Sequence, residues 1–307
     1  MIHSKTQDPR PKTQDPRPKT YRIVRVATVV ILGAGEIGGA LARQLAALDL
    51  VSRIVIVDDL ANVAAGKALD VAQSGPVDGY HTALSGTNDV AAVVGAAAVV
   101  VADRAAQPNA EWADEAGLAL IKRVAGLNQA APIICAGARQ ASLIEKSVNE
   151  SGLSRMRVFG SAPEALRSAV IAITALEANA SPTDISLSVL GRPPQQVIVP
   201  WDEAAISGRS STNVLSAAQL ARLDARIARL WPPGPYALAG AATSVIKTAL
   251  MRTPRVHAAL VAVTREEGLP GRSAMMPVTL QPSGIASLVA PALSARDRVR
   301  FETATRT

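Results

Sequence analysis

Cysteine, histidine and aromatic side chains are scarce in this sequence of 307 residues, which has one cysteine, three histidines and 3% aromatic residues. The single Cys135 cannot form an internal disulfide, and no Cys/His cluster suggests a zinc site. We therefore expect no metal and a reducing, cytoplasmic setting. The longest apolar run, 91–102, falls well short of the roughly 20 residues that a membrane-spanning helix needs, so we expect no membrane partner.

The positive charge of the chain is concentrated near its N-terminus. The net charge is +7, and residues 1–25 contain seven basic and two acidic side chains, so this segment carries +5 of the total. The rest is nearly neutral, which argues against a nucleic-acid partner. The motif KTQDPRP at 5–11 recurs at 12–18, and its proline density predicts a disordered basic tail over 1–25.

Apolar runs alternate with amphipathic segments in the first half of the chain. Strands are predicted at 26–32, 54–57, 93–102 and 131–137, with helical segments between them, one of which covers 110–127. This alternation predicts an α/β fold with a doubly wound parallel sheet, a Rossmann domain over 26–160. After residue 160, short alternating strands mixed with helices predict a second, α+β lobe over 161–307.

A glycine motif directly follows the first predicted strand. Gly33, Gly35 and Gly38 form G-x-G-x-x-G, in which glycines allow a tight turn, close approach of a pyrophosphate and close helix packing. Asp58 ends the second predicted strand, where a carboxylate accepts the ribose hydroxyls of NAD and repels the 2′-phosphate of NADP. The predicted cofactor is therefore NAD, and the predicted binding residues are Gly33, Gly35, Glu36, Ile37, Gly38 and Asp58. The alternative is a Rossmann domain that keeps this turn for packing only.

Several segments, taken in order along the chain, carry a resemblance to a known family. They are GAGEIGG at 33–39, GKALDVAQ at 66–73, SGTNDVAAVVGAAAVVVA at 85–102, LSVLG at 187–191 followed by VP at 199–200, and the stretch that begins PVTLQPSG at 277. From about residue 26 to the C-terminus the chain resembles the malate/lactate dehydrogenases, which are NAD-dependent 2-hydroxy acid dehydrogenases. The resemblance implies NAD(H) and a small organic acid as ligands, and a homo-oligomer.

The catalytic histidine that the resemblance implies is absent from its position. The family pattern L-G-x-H-G-D corresponds to 190–195 here, and Pro193 stands at the histidine. Proline cannot exchange a proton, whereas general acid–base catalysis needs a titratable side chain. We expect none of the three histidines to take its place. His257 in particular is predicted to be a structural residue that faces away from the cofactor.

Two other residues have counterparts in the family's catalytic site. By the family's D-x-x-R spacing, Glu164 would be the acid that orients the histidine, and Arg167 would bind the substrate carboxylate. The same i,i+3 spacing also fits an ordinary ion pair on a helix surface. The sequence leaves both interpretations open.

The family's substrate loop, 102–116 here, departs from its usual pattern. Arg104 stands near the place of the first loop arginine, whereas Trp112 stands at or near the place of the second. Four acidic residues, which would repel a dicarboxylate, are also in this loop: Asp103, Glu111, Asp114 and Glu115. After the fourth strand Ala136 replaces the family's asparagine, and we expect Cys135 to be a small buried residue.

Three hypotheses for the function follow. The first is an NAD-binding relative of the malate/lactate dehydrogenases without ordinary malate or lactate turnover. The second is an active NAD-dependent oxidoreductase for a small hydroxy acid, with Glu164 as base and Arg167 or Arg192 binding the acid. The third is a non-catalytic oligomeric scaffold.

Overall fold

A large sheet flanked by helices organises the protein, as the alternating apolar runs predict. The computed structural model describes residues 27–107, 110–263 and 272–306, and over these ranges it has a mixed α/β fold with a mostly parallel sheet in the first half. The fold class predicted from the sequence is confirmed. The tail predicted over 1–25 lies outside the described residues.

The strands of the described ranges are numbered in chain order. Their bounds are β1 Thr28–Leu32, β2 Arg53–Val57, β3 Ala83–Thr87, β4 Ala98–Val101, β5 Asp103–Arg104, β6 Ala110–Glu111, β7 Ile133–Cys135, β8 Val158–Gly160, β9 Ile185–Ser186, β10 Leu190–Arg192, β11 Gln196–Ile198, β12 Ala205–Ile206, β13 Arg209–Ser210, β14 Val256–Ala262, β15 Ser273–Gln281 and β16 Gly284–Leu288. Two small sheets, β5 with β6 and β9 with β12 and β13, stand apart from the large one.

Six strands of the large sheet run parallel, in the order β3-β2-β1-β4-β7-β8. This is the strand order of a doubly wound dinucleotide-binding fold. The chain adds strands on one side of β1 as far as β3 and then on the other side, beginning with β4. Beyond β8 the sheet continues through antiparallel β14, β15, β10 and β11. The division into two lobes after residue 160 stays a prediction, because one sheet crosses that boundary.

Helices cover both faces of the sheet. Their bounds are α1 Glu36–Ala47, α2 Ala61–Asp78, α3 Asp114–Leu127, α4 Ala141–Asn149, α5 Ala162–Ala178, α6 Ser211–Val214, α7 Ala217–Ile227, α8 Pro235–Met251 and α9 Ala295–Arg306. Among the residues described, no helix is both long and apolar enough to cross a membrane.

Successive residues of the central strands face two apolar clusters on opposite sides of the sheet. In β1, Val30 and Leu32 belong to one cluster, whereas Val29 and Ile31 belong to the other. Because both faces are buried, these strands are apolar at almost every position instead of alternating with polar residues. This packing fixes the carboxyl ends of β1, β2 and β4, where the candidate site lies.

Two elements near that edge differ from the sequence prediction. The strand predicted over 93–102 is confined to β4, because a 3-10 turn at Val90–Val93 and Gly95, with φ of +72°, precede it. The helix predicted over 110–127 begins only at Asp114, because residues 110–111 form β6 and pair with β5. The described part of the substrate loop of the resemblance therefore contains the pair β5 and β6, and its last residues belong to α3.

The turn between β1 and α1 provides a matched pair of glycines for a stability test. A Cβ on Gly38 would collide with the carbonyl oxygen of Gly33, whereas the nearest contact of a Cβ on Gly39 is the end of the Lys67 side chain, with Nζ at 3.1 Å. We expect Gly38→Ala to lower the free energy of unfolding by about 1–3 kcal/mol through overpacking. Gly39→Ala should be neutral or stabilising by up to about 1 kcal/mol, since alanine favours a helix. Urea unfolding of both variants measures this, and equal effects would contradict the close approach.

Candidate functional site

The glycine motif forms the turn between β1 and α1. Gly33 has a φ of +121°, which favours glycine, and its N–H donates to the carbonyl of Val57 at 2.7 Å. Gly38 packs directly against Gly33. Because Gly35 precedes α1 and has no side chain, the first N–H groups of the helix need an acceptor from elsewhere. A tight turn that leads to N–H groups at a helix N-terminus is the geometry that binds a pyrophosphate.

The acceptor at this helix is Asp103, two residues after the end of β4. Its Oδ1 accepts the N–H of Gly38 at 3.0 Å, and its carbonyl oxygen accepts the N–H of Gly35 at 2.9 Å. Asp103 is only 2% exposed. A Cβ on Gly35 would collide with the Asp103 carboxyl group, so this carboxylate fills the space above the second glycine of the motif. A negative charge is stabilising at this end of a helix.

Asp58, predicted to accept ribose hydroxyls, is also buried and is only 2% exposed. Its Oδ2 accepts the N–H groups of Ala34 at 2.8 Å and Ala105 at 2.9 Å, and its Oδ1 accepts the N–H of Leu60 at 3.0 Å. These bonds tie the end of β2 to the glycine turn and to the hairpin after β4. Asp58 lies where the sequence predicts it, and the protein's own backbone occupies its carboxylate.

NAD would need both of these positions. Its pyrophosphate must approach the backbone at Gly35, and its ribose must reach the carboxylate of Asp58. The first space contains the Asp103 carboxylate, and the second acceptor is already hydrogen-bonded. In this conformation the residues do not fit the dinucleotide. Of the other predicted cofactor residues, Glu36 is exposed and Ile37 packs into the core.

The hairpin of β5 and β6 turns its acidic side chains toward the sheet. At its far end Glu111 accepts the N–H groups of Ala138 at 3.0 Å and Arg139 at 2.8 Å, beyond the end of β7. Burial raises the pKa of Glu111, although these two backbone bonds oppose the shift. The guanidinium of Arg104 lies 5.0 Å from the centroid of a Trp112 ring. Arg104, Asp103 and Glu111 of this loop are therefore engaged within the protein.

The residues at the end of β7 are inert. Cys135 and Ala136 are fully buried. Burial, with a smaller contribution from the Glu111 carboxylate, raises the pKa of the Cys135 thiol to about 12. At neutral pH this side chain is a protonated thiol and a poor nucleophile.

Glu164, the predicted catalytic acid, lies at the start of α5 in a buried polar network. Its Oε1 is 3.1 Å from Arg167 Nη1, and its Oε2 accepts the N–H of Ala258 at 2.8 Å. His257 Nδ1 approaches Oε1 at 3.4 Å, a close electrostatic contact without hydrogen-bond alignment. On its other side His257 Nε2 is 2.8 Å from Thr248 Oγ1. The structure thus brings an imidazole to Glu164, but this imidazole comes from β14 and not from the turn with Pro193, where the resemblance places the histidine.

This arrangement corrects the interpretation of Glu164 and Arg167 as an ordinary ion pair on a helix surface. The pair forms, but it is not on the surface, since Glu164 is only 5% exposed. His257 is buried, as expected of a structural residue, yet it faces the predicted catalytic acid. Burial alone would raise the pKa of Glu164, but the contacts with His257, Arg167 and the Ala258 N–H together lower it.

Pro193 lies in the turn between β10 and β11, on another part of the sheet. Next to it, Arg192 Nη2 is 3.2 Å from Glu145 Oε1 on α4. Within the ranges that the structure describes, the polar contacts of Glu164 do not involve this hairpin. The two predicted parts of the catalytic site, Glu164 with Arg167 and the hairpin with Pro193, are therefore not joined by a contact.

Sequence reasoning missed the roles of Asp103 and His257. A signal for Asp103 was present, because an acidic residue two positions after the end of β4 lies near the carboxyl edge next to the glycine turn. No local signal could have found His257, because its contact with Glu164 depends on how β14 pairs beside β8.

Comparison with known proteins finds similar malate and lactate dehydrogenases. No protein-family model matches the sequence. Malate dehydrogenase of Thermomicrobium roseum is 26% identical over 285 residues, which cover 88% of this chain and 92% of that protein. Among solved structures, a lactate dehydrogenase from a Medee basin deep-sea metagenome library has a TM-score of 0.79 and 16% identity, over 92% of this chain and 96% of that one. Malate dehydrogenase from Salinibacter ruber has a TM-score of 0.79 and 20% identity, over 90% and 93%.

The strand order and the glycine turn give this chain the α/β fold that dinucleotide-binding proteins have, extended by an antiparallel second half. The sequence match over most of both chains, with the shared fold, supports membership of this chain in the malate/lactate dehydrogenase family.

The role of Asp58 as a backbone anchor predicts a loss of stability when its carboxylate is removed. Asp58→Ala leaves the N–H groups of Ala34, Leu60 and Ala105 without their acceptor, and we expect the free energy of unfolding to fall by about 1–3 kcal/mol. The neighbouring Asp59 is exposed and serves as control, with an expected change within about 0.5 kcal/mol for Asp59→Ala. Urea unfolding of both variants measures the difference. Equal stability of the two variants would refute the anchoring role.

The lowered pKa of Glu164 predicts a specific pH dependence of stability. A carboxyl group with a lowered pKa stabilises the folded state while it is ionised, and this contribution is lost as the pH falls from its ordinary value of 4.5 through its folded value. We expect the stability difference between the wild type and Glu164→Gln to be largest near neutral pH and to shrink on acidification. Urea unfolding between about pH 3 and pH 7 measures it, with the exposed Glu203→Gln as control. A difference that grows on acidification would contradict the assignment.

Proposed function

We propose that this protein is a malate/lactate dehydrogenase-like protein without ordinary malate or lactate turnover. The observation that carries the proposal is the engagement of Glu164, which is only 5% exposed and whose two carboxylate oxygens are held by Arg167, His257 and the Ala258 N–H. A general acid or base must come within hydrogen-bond reach of the substrate, directly or through one water. A buried carboxylate that is already engaged does not meet that requirement.

The arginines that the resemblance assigns to the substrate are engaged as well. Arg167 donates to the carbonyl of Leu187 at 2.8 Å and pairs with Glu164. Arg104 stacks on Trp112, and Arg192 pairs with Glu145. Because a substrate carboxylate is best bound by two parallel guanidinium hydrogen bonds, each of these arginines would first have to leave its present partner.

Other parts of the proposal rest on resemblance alone. NAD(H) as ligand, a homo-oligomer and a cytoplasmic location are expectations drawn from the family and from the composition. The closed space at Gly35 means that a dinucleotide binds only if the Asp103 carboxylate moves away.

An active oxidoreductase with a rearranged site is the second candidate. One observation favours it, namely the imidazole of His257 beside the Glu164 carboxylate, which is the pair of side chains that such chemistry uses. His257 and Arg167 also line a cavity of about 430 Å³ that contains the polar side chains of Ser186, Ser188 and Glu203. In this candidate His257 would replace the histidine whose position Pro193 takes.

A turnover assay tests both candidates. We expect NADH absorbance to show rates with malate, oxaloacetate, lactate and pyruvate at least about 10²–10⁴-fold below those of an active malate dehydrogenase run in parallel, because acid–base assistance is absent. Turnover at ordinary rates would overturn the proposal. In a wider screen of 2-hydroxy and 2-keto acids, a signal that His257→Asn abolishes and exposed His81→Asn retains would establish the second candidate instead.

A further inference from the structure

We propose that the segment 103–105 fills the dinucleotide site from within, so that the carboxylate of Asp103 takes the place of the pyrophosphate. The inference goes beyond the proposed function, because it concerns cofactor binding and holds whether or not the protein turns over a substrate. It rests on three groups of contacts around the glycine turn.

The first group lies at the pyrophosphate position. The second glycine of a dinucleotide-binding motif leaves room for the pyrophosphate, whose oxygens accept N–H groups at the N-terminus of the helix. Here that room contains the Asp103 carboxyl group, and its Oδ1 accepts the N–H of Gly38 at 3.0 Å. A carboxylate and a phosphate are both anionic acceptors, so Asp103 satisfies the same donors with the same sign of charge.

The second group lies at the ribose position. The carboxylate of Asp58 accepts the N–H of Ala105 at 2.9 Å, two residues after Asp103. A hydroxyl donor of a ribose would have to compete with this backbone N–H. The segment 103–105 therefore does two things. Asp103 accepts N–H groups of the glycine turn, and the N–H of Ala105 donates to Asp58 at the end of β2.

The third group holds the segment in place. Residues 103–104 pair with residues 110–111, and Glu111 accepts the N–H groups of Ala138 and Arg139 after β7. The hairpin is thus attached to the carboxyl ends of β1, β2 and β7 by three carboxylates, Asp58, Asp103 and Glu111. A dinucleotide must break the contact of Asp103 with Gly38 and must tolerate a negative charge next to its pyrophosphate.

Titration of NADH into Asp103→Ala tests the inference. We expect the variant to bind NADH at least about tenfold more tightly than the wild type, since placing like charges side by side is costly and removing one opens the space above Gly35. Asp103→Asn keeps the size of the side chain and removes its charge, and it should lie between the two. Asp59→Ala, which removes one exposed negative charge near the same edge, is the control and should bind as the wild type does.

Calorimetry or NADH fluorescence gives the dissociation constants, and circular dichroism confirms that each variant is folded. Equal affinity of the wild type and Asp103→Ala would overturn the inference, and so would absence of binding to both. If Asp103→Ala does not fold, Asp103→Asn alone decides, and an affinity no higher than that of the wild type would then overturn it. Turnover assays on the same variants separate this inference from the proposed function, because tighter binding without turnover leaves both standing.

Discussion

The first backbone N–H groups of α1 have no acceptor within the helix. The residue before the helix, Gly35, has no side chain that could accept them. Close packing of Gly38 on Gly33 puts these groups at the carboxyl edge of the sheet, in the reversal between β1 and β4. A buried N–H without an acceptor is costly, so some anion or dipole must meet this helix. In this protein the acceptor comes from the chain itself, and that choice determines where the segment after β4 can go.

Once Asp103 caps α1, the neighbouring contacts follow in sequence. Its carbonyl accepts the N–H of Gly35, which fixes the backbone of the segment against the glycine turn. Two residues later Ala105 reaches Asp58, and the chain returns as β6 to bring Glu111 over the end of β7. The first part of the loop that the resemblance assigns to the substrate is thereby held against the sheet, with the carboxylates of Asp103 and Glu111 directed toward backbone N–H groups.

The fold and the glycine turn could be predicted because their signals are local. Buried strands such as β1 are apolar throughout, and G-x-G-x-x-G lies within six residues between a strand and a helix. The position of Asp103 near the carboxyl edge could be predicted from its place after β4, but its bond with Gly38 could not, because that bond joins residues 65 positions apart. Its charge suggested repulsion of a substrate, whereas the fold turns it inward. The Glu164–Arg167 pair was predictable from helical spacing, but its burial and its contact with His257 depend on strand pairing beyond β8.

The carboxylates of Asp103 and Glu164 are both held by other groups of the protein, and they differ in what their displacement would leave without a partner. The Asp103 carboxylate accepts the backbone N–H of Gly38, and a phosphate that replaced it would satisfy the same donor. Glu164 is held by Arg167 and faces His257, and withdrawing it would leave the half-buried Arg167 guanidinium without its counter-ion. Removal of one partner from a buried ion pair is strongly destabilising. The cofactor position is therefore closed by an interaction that a ligand can replace, whereas the acid–base position is closed by one that the fold itself needs.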